Sequence, residues 1–213
     1  MNIIEPYVEI LEAPDYNKML RFIELVGRTC YKSEDKITSG SAEKFVKGLI
    51  EKGHTAMIEH VTITVKFVCD RGVSHELVRH RLASFAQEST RFCNYVDSRF
   101  ENSITVIKPC FWDETQEEFD LWFRSMKSAE AAYIRLIHAG ASPQEARSVL
   151  PNSLKTEVVV TMNIREWRHF FNLRAIGTTG APHPQMRQVA RMAFDMFKEN
   201  WPAFFSDLEV QHG

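Results

Sequence analysis

Residues 61–69 read VTITVKFVC. Val61, Ile63, Val65, Phe67 and Cys69 fall on one side of an alternation; Thr62, Thr64, Lys66 and Val68 fall on the other. Side chains of a β-strand point to opposite faces with a period of two, so this run predicts a strand with one apolar and one more polar face. Strands of a parallel sheet covered on both sides read as unbroken apolar runs instead. The alternation therefore predicts a largely antiparallel sheet with helices packed on it.

The flanking sequence supplies the partners. Residues 4–12, SITVIKP (103–109) and the β-branched run KTEVVVTMN (155–163) are further strand candidates. Before the central strand, DYNKMLRFIELVGRTCYKS carries Met19, Phe22, Ile23 and Val26 at helical spacing. SGSAEKFVKGLIEKGH follows, with Ser41 placed to cap a helix and Gly53 to end it. After the strand, SHELVRHRL reads as a short helix capped by Ser74. A long helix covers residues 114–139 and stops near Gly140, and Ser142-Pro143 opens the next. REWRHFFNLR and HPQMRQVARMAFDMFKENW read as helices, joined by the loop GTTGAPHP. Helices and strands mix without a βαβ rhythm. The expected class is α+β (α/β mixed), as a single domain over residues 1–213.

The chain has 213 residues, 44% of them hydrophobic, enough for one sizeable core. Lys plus Arg total 26 against 28 Asp plus Glu, a balance that argues against a general nucleic-acid binder. No run approaches the roughly 20 apolar residues needed to span a bilayer. MNIIEPYVEI lacks the basic-then-apolar pattern of a signal peptide. Four scattered cysteines without a C-x-x-C suit a reducing compartment. The expectation is a cytoplasmic protein with no membrane and no nucleic-acid partner.

Against this neutral background, residues 79–92, RHRLASFAQESTRF, concentrate Arg79, Arg81 and Arg91 around His80, with Ser84, Gln87, Ser89 and Thr90 between them. Guanidinium forks bind phosphate oxygens bidentately, and short polar groups suit an uncharged ring or sugar. The pattern fits a nucleoside monophosphate; a solvated basic face is the alternative. Stacking of bases on Phe85 and Phe92 in a non-catalytic RNA-binding module is a further alternative, disfavoured by the charge balance. On the helix after Asn163, Arg165, His169 and Asn172 share one face, while Trp167, Phe170, Phe171 and Arg174 share the other. Arg174 either snorkels to water or faces a half-buried ligand. The spacing of His54 and His60 does not match H-E-x-x-H, and no metal is expected. Neither a Walker nor a Rossmann glycine motif occurs, so side chains must hold any phosphate.

Arg79-His80-Arg81, seven residues, then Ser89 resembles the signature of flavin-dependent thymidylate synthases. GHTAMIEH, ARSVLP, MNIREWRHFFNLR and APHPQMR resemble four further blocks of that family, in order, over residues 53–187. The resemblance implies an α/β homotetramer with active sites shared between subunits. It implies conversion of dUMP to dTMP with methylenetetrahydrofolate as carbon donor and NADPH as reductant through FAD. The hydride comes from reduced flavin, and no cysteine acts as nucleophile. Carried over by position, Glu76, Arg79, Gln87, Glu88, Ser89, Thr90, Arg91, Arg147 and Arg174 hold dUMP. Arg79, His80, Arg81, Leu82, Gln87, Glu59, Asn163, Ile164, Arg165 and His169 hold FAD. Arg174, Ser89 and His54 are the candidate catalytic residues: Arg174 stabilises negative charge on the uracil ring and His54 lies near the flavin. Ser89 lacks an evident base and reads as a positioning hydroxyl, with nucleophile as the alternative. Five positions depart from the family pattern: Glu76, Gln87 and Glu88 in place of Glu-Leu, Phe92 and His169.

Overall fold

The computed structural model describes residues 1–208, so the last five residues of the expected domain lie outside it. The strands are β1 (Asn2–Ile4), β2 (Tyr7–Glu12), β3 (Thr62–Asp70), β4 (Ala83–Gln87), β5 (Thr105–Ile107) and β6 (Lys155–Asn163). The helices are α1 (Tyr16–Thr29), α2 (Ser41–Glu51), α3 (Arg71–Leu77), α4 (Glu117–His138), α5 (Pro143–Ala146), α6 (Ile164–Phe171), α7 (Pro184–Asn200) and α8 (Pro202–Phe205). The class is α+β, with a largely antiparallel sheet as the alternation predicts.

That sheet has the order β2-β3-β6-β4. β3 and β6 run in opposite directions. Ile164 N donates to Val61 O (3.0 Å), the Thr64 and Thr161 hydroxyls meet at 2.9 Å, and Arg71 N donates to Leu154 O (3.1 Å). A second sheet pairs β1 with β5 in parallel, Asn2 opposite Thr105. Pro6 separates β1 from β2, which divides the expected first strand in two. Pro lacks the N–H that a ladder needs.

The described residues group into two compact units. The first comprises Met1–Tyr7, Phe67–Arg79 and Phe85–Val159; the second comprises Val8–Lys66, His80–Ser84 and residues from Val160 on. In the first, Tyr95, Ile104, Val106, Tyr133, Ala146 and Leu154 form the core. α4 carries Glu117, Glu118 and Asp120 in its first turn and Arg135 and His138 in its last, matching the helix dipole. Buried Glu130 of α4 accepts from Ile104 N (3.2 Å) and pairs with the N-terminal ammonium (2.8 Å). α3 begins earlier than the sequence suggests. Asp70 caps it by accepting from Val73 N at 2.7 Å, and Ser74 lies inside the helix, donating to Arg71 O at 2.8 Å.

In the second unit an aromatic core gathers Trp167, Phe170 and Phe171 of α6, Phe194 and Phe197 of α7, and Phe204 and Phe205 of α8, all buried. Trp167 stacks on Phe171 (centroids 5.8 Å apart) and donates from Nε1 to Ile63 O (3.1 Å). α1 buries Met19, Leu20, Ile23 and Gly27, leaving Phe22 44% exposed. Its apolar stripe is thus rotated from the expected one. Phe45 explains Gly27, since a Cβ there would lie 2.6 Å from the Phe45 ring. Gly40, not Ser41, caps α2; the Ser41 hydroxyl donates instead to buried Glu24 (2.8 Å). Among the described residues no helix is long and apolar enough to cross a membrane.

Candidate active site

In the second unit, β6 ends at Asn163, whose side chain accepts from Glu166 N (2.9 Å) and so starts α6. α6 does not continue as an α-helix. Residues Asn172–Ile176 form a π-helical turn, in which Gly177 N donates to Asn172 O five residues back (2.9 Å). Gly177 closes the turn in the left-handed region at φ +88. Such insertions are frequent at functional sites. Here the turn holds Arg174, whose Nε donates to His80 Nε2 at 3.3 Å. Arg174 also lines a hollow of about 250 Å³ with Leu173 and the Thr179–Pro182 loop.

An arginine can only donate, so His80 Nε2 must accept and the ring proton belongs on Nδ1. Nδ1 then donates to Glu166 Oε1 at 3.3 Å. Burial, with Arg174 and then His169 adding to it, lowers the His80 pKa to about 4, so the imidazole is neutral at neutral pH. Burial also raises the Glu166 carboxyl above its ordinary range, against an opposing contribution from His169. The contact is therefore a tautomer-fixing hydrogen bond rather than an ion pair. The Phe170 ring packs edge-on against His80 at 5.1 Å, and exposed His169 lies at 6.0 Å. Donor atoms of His80, Glu166 and His169 lie within 4.8 Å of one another, a metal-like spacing. The guanidinium on His80 Nε2 opposes a cation there.

The other residues expected to hold flavin in this unit sit at its surface or along the same elements. Exposed Arg165 pairs with exposed Glu59 at 2.5 Å. Arg81 and Leu82 are exposed just before β4, and Arg81 has no carboxylate partner among the described residues. Ile164 is buried at the first position of α6. His54 is exposed and lines a cleft of about 1040 Å³ beside α1 and α2, with Tyr31, Lys44 and Lys52.

In the first unit a different cluster assembles. Gln87, at the end of β4, donates from Nε2 to Ser74 Oγ (2.9 Å) and Thr156 Oγ1 (3.2 Å). Glu88 is a structural partner: it accepts from the Tyr95 hydroxyl (3.1 Å) and from Lys155 Nζ (3.0 Å). Ser89 Oγ accepts from Arg91 N at 3.3 Å, and among the described residues no histidine or carboxylate bonds it. Thr90 is buried and accepts from Arg147 at 3.4 Å. Arg91 lies over the ring of Phe92, which is 76% exposed. Glu76 is half-buried on α3, and exposed Arg79 follows that helix. Among the described residues Arg79, Arg91 and Arg147 have no carboxylate partner. Sequence reasoning missed Glu166, Ser74, Thr156 and Lys155. Of these only Glu166 carried a signal, as the third residue of a helix capped by Asn163.

The model of the Thy1 family, described as thymidylate synthase complementing protein, matches residues 14–203. The chain belongs to this family, that of the flavin-dependent thymidylate synthases. The flavin-dependent thymidylate synthase of Corynebacterium diphtheriae is 33% identical over 206 residues, covering 88% of this chain and 78% of that protein. That of Corynebacterium aurimucosum is 34% identical over 206 residues, with 88% and 79% covered. That of Pyrococcus furiosus is 34% identical over 149 residues, with 70% and 60% covered. Among solved structures, the UMP/dUMP methylase PolB from Streptomyces cacaoi bound with 5-Br dUMP superposes with a TM-score of 0.79 at 20% identity. It covers 97% of this chain and 96% of that one, which shows a shared fold.

Proposed function

We propose that this chain is a thymidylate synthase that methylates dUMP to dTMP. It takes the one-carbon unit from methylenetetrahydrofolate and electrons from NADPH through FAD, and it works as a homotetramer in the cytoplasm. The observation that carries this reading is that Arg79, Arg91 and Arg147, which meet no carboxylate among the described residues, share one unit with the neutral side chains of Gln87, Ser89 and Thr90. A phosphate joined to an uncharged sugar and a pyrimidine has that chemistry.

The donor set of the second unit fits a flavin dinucleotide. Arg81 and Arg165 supply cations for its pyrophosphate, Asn163 and His169 supply hydrogen-bonding groups, and His80 lies beside the ring of Phe170. FAD, once bound, would supply the reducing equivalent that completes the methyl group. The remaining chemistry belongs to the chain. Neutral His80, oriented by Glu166, fixes the plane of the Arg174 guanidinium. Arg174 then stabilises negative charge at uracil N3 and the adjacent carbonyl, in surroundings where the low dielectric strengthens it. A thiolate attack on uracil is disfavoured, because burial raises the Cys93 and Cys69 thiols above their usual range. Ser89 positions the nucleotide.

Purified protein should be yellow, and dTMP formation should need dUMP, methylenetetrahydrofolate, NADPH and FAD together. A colourless, folded and assembled protein that binds neither FAD nor dUMP overturns the reading.

A further inference from the structure

Gln87 is held with unusual definition for a half-buried amide. Its Nε2 donates to two hydroxyls, Ser74 Oγ at 2.9 Å and Thr156 Oγ1 at 3.2 Å. Both residues are fully buried. Ser74 directs its own proton to Arg71 O (2.8 Å), so toward Gln87 it can only accept. Thr156 Oγ1 already accepts from the Arg71 guanidinium (3.4 Å). An amide nitrogen carries two protons, and both are used here. Flipping the amide would set its oxygen against an acceptor that has no proton to give, so the network fixes the orientation. The Oε1 atom has no hydrogen-bond partner among the described residues and is not sealed in the interior.

We propose that Ser74 and Thr156 are positioning residues that present Gln87 Oε1 outward as an obligate hydrogen-bond acceptor, which reads a donor on the bound nucleotide. This rests on the reading of the first unit as the dUMP-binding part. dUMP offers two such donors, the uracil N3–H and the sugar 3′-hydroxyl. A glutamate at this position would accept the same proton as an anion. Gln87 accepts it without adding negative charge, and the buried hydroxyl pair supplies the orientation that charge would otherwise favour.

The test measures dissociation constants on FAD-loaded enzyme by calorimetry for dUMP, N3-methyl-dUMP and 2′,3′-dideoxyuridine monophosphate. In the unmodified chain, one analogue should bind about 10-fold more weakly than dUMP, the value of one lost hydrogen bond. Which analogue it is identifies the donor. In Gln87→Met, of similar length but without the amide, that ratio should fall below about twofold. It should fall likewise in Ser74→Ala combined with Thr156→Val, with the flavin spectrum retained. A purely structural role would weaken all three ligands alike and leave the ratio intact, which overturns the proposal. So does equal binding of all three to the unmodified chain. Ser74→Ala alone and Gln87→Met carry the test if the double variant does not fold. Failure of the unmodified chain to bind dUMP itself is a separate outcome and overturns the functional reading beneath the proposal.

Discussion

The clusters around His80 and around Gln87 both bury polar side chains, but they treat charge in opposite ways. Around His80, Phe170 and the buried aromatic side chains of α6 limit water, and both ionisable partners are pushed toward their neutral forms. Around Glu88 charge is retained and paired, while the nearby Arg147 guanidinium meets no carboxylate among the described residues. Burial works against the Lys155 ammonium, yet its hydrogen bonds to Glu157 and Glu88 outweigh that and raise its pKa. A neutral scaffold adds no charge of its own beside the Arg174 guanidinium. A paired scaffold holds a ligand in place without acting on it. On the proposed function, polarisation falls to the His80 region and positioning to the Gln87 region.

The largest expected effect follows from removing the polarising charge. Arg174→Ala should lower dTMP turnover on the order of 100-fold, as for a lost charge-stabilising donor. Near-normal turnover in a folded, FAD-loaded variant would erase the distinction between the two regions. An intermediate effect is expected on stability as a function of pH. His80 titrates near 4 in the fold and near its ordinary 6.5 unfolded. The unfolded chain therefore binds more protons in that window, and stability falls as pH drops from about 6.5 through about 4. Glu166, whose pKa is raised, acts in the opposite sense, so the readout is a difference between variants. His80→Gln should show a shallower fall of Tm over this range than the unmodified chain; parallel curves would refute a neutral, buried His80. The smallest effect should come from Ser89→Ala. Turnover should stay within about 10-fold, as for one neutral hydrogen bond. Complete loss with FAD and dUMP still bound would move Ser89 into the chemistry.

Much of this architecture could be read from the chain, and the failures have physical reasons. β3 and β6 declared themselves because one face of each meets the core and the other does not. β4 went unread because ASFAQ has no β-branched residue and alternates only between half-buried and exposed, inside an arginine-rich stretch. Phe22 misled because helical spacing alone permits two adjacent stripes, and the close approach of Phe45 at Gly27 selects the other. The arginines and Ser89 stood out by composition. The partners of Gln87 did not, since Ser74 and Thr156 lie 13 and 69 residues away and only the tertiary structure joins them. A period of 3.6 residues placed Arg174 at the end of an apolar stripe, whereas its Nε meets His80.

The π turn at Asn172–Ile176 bears on how this segment can vary. Each residue of an α-helix advances the chain by about 100° around its axis. A one-residue deletion there would restore ordinary helical winding and swing the guanidinium a quarter-turn or more away from its imidazole. The stretch should thus accept exchanges of Leu173 or Ala175 more readily than any change in its length, making spacing, rather than side-chain identity, what selection guards at this point.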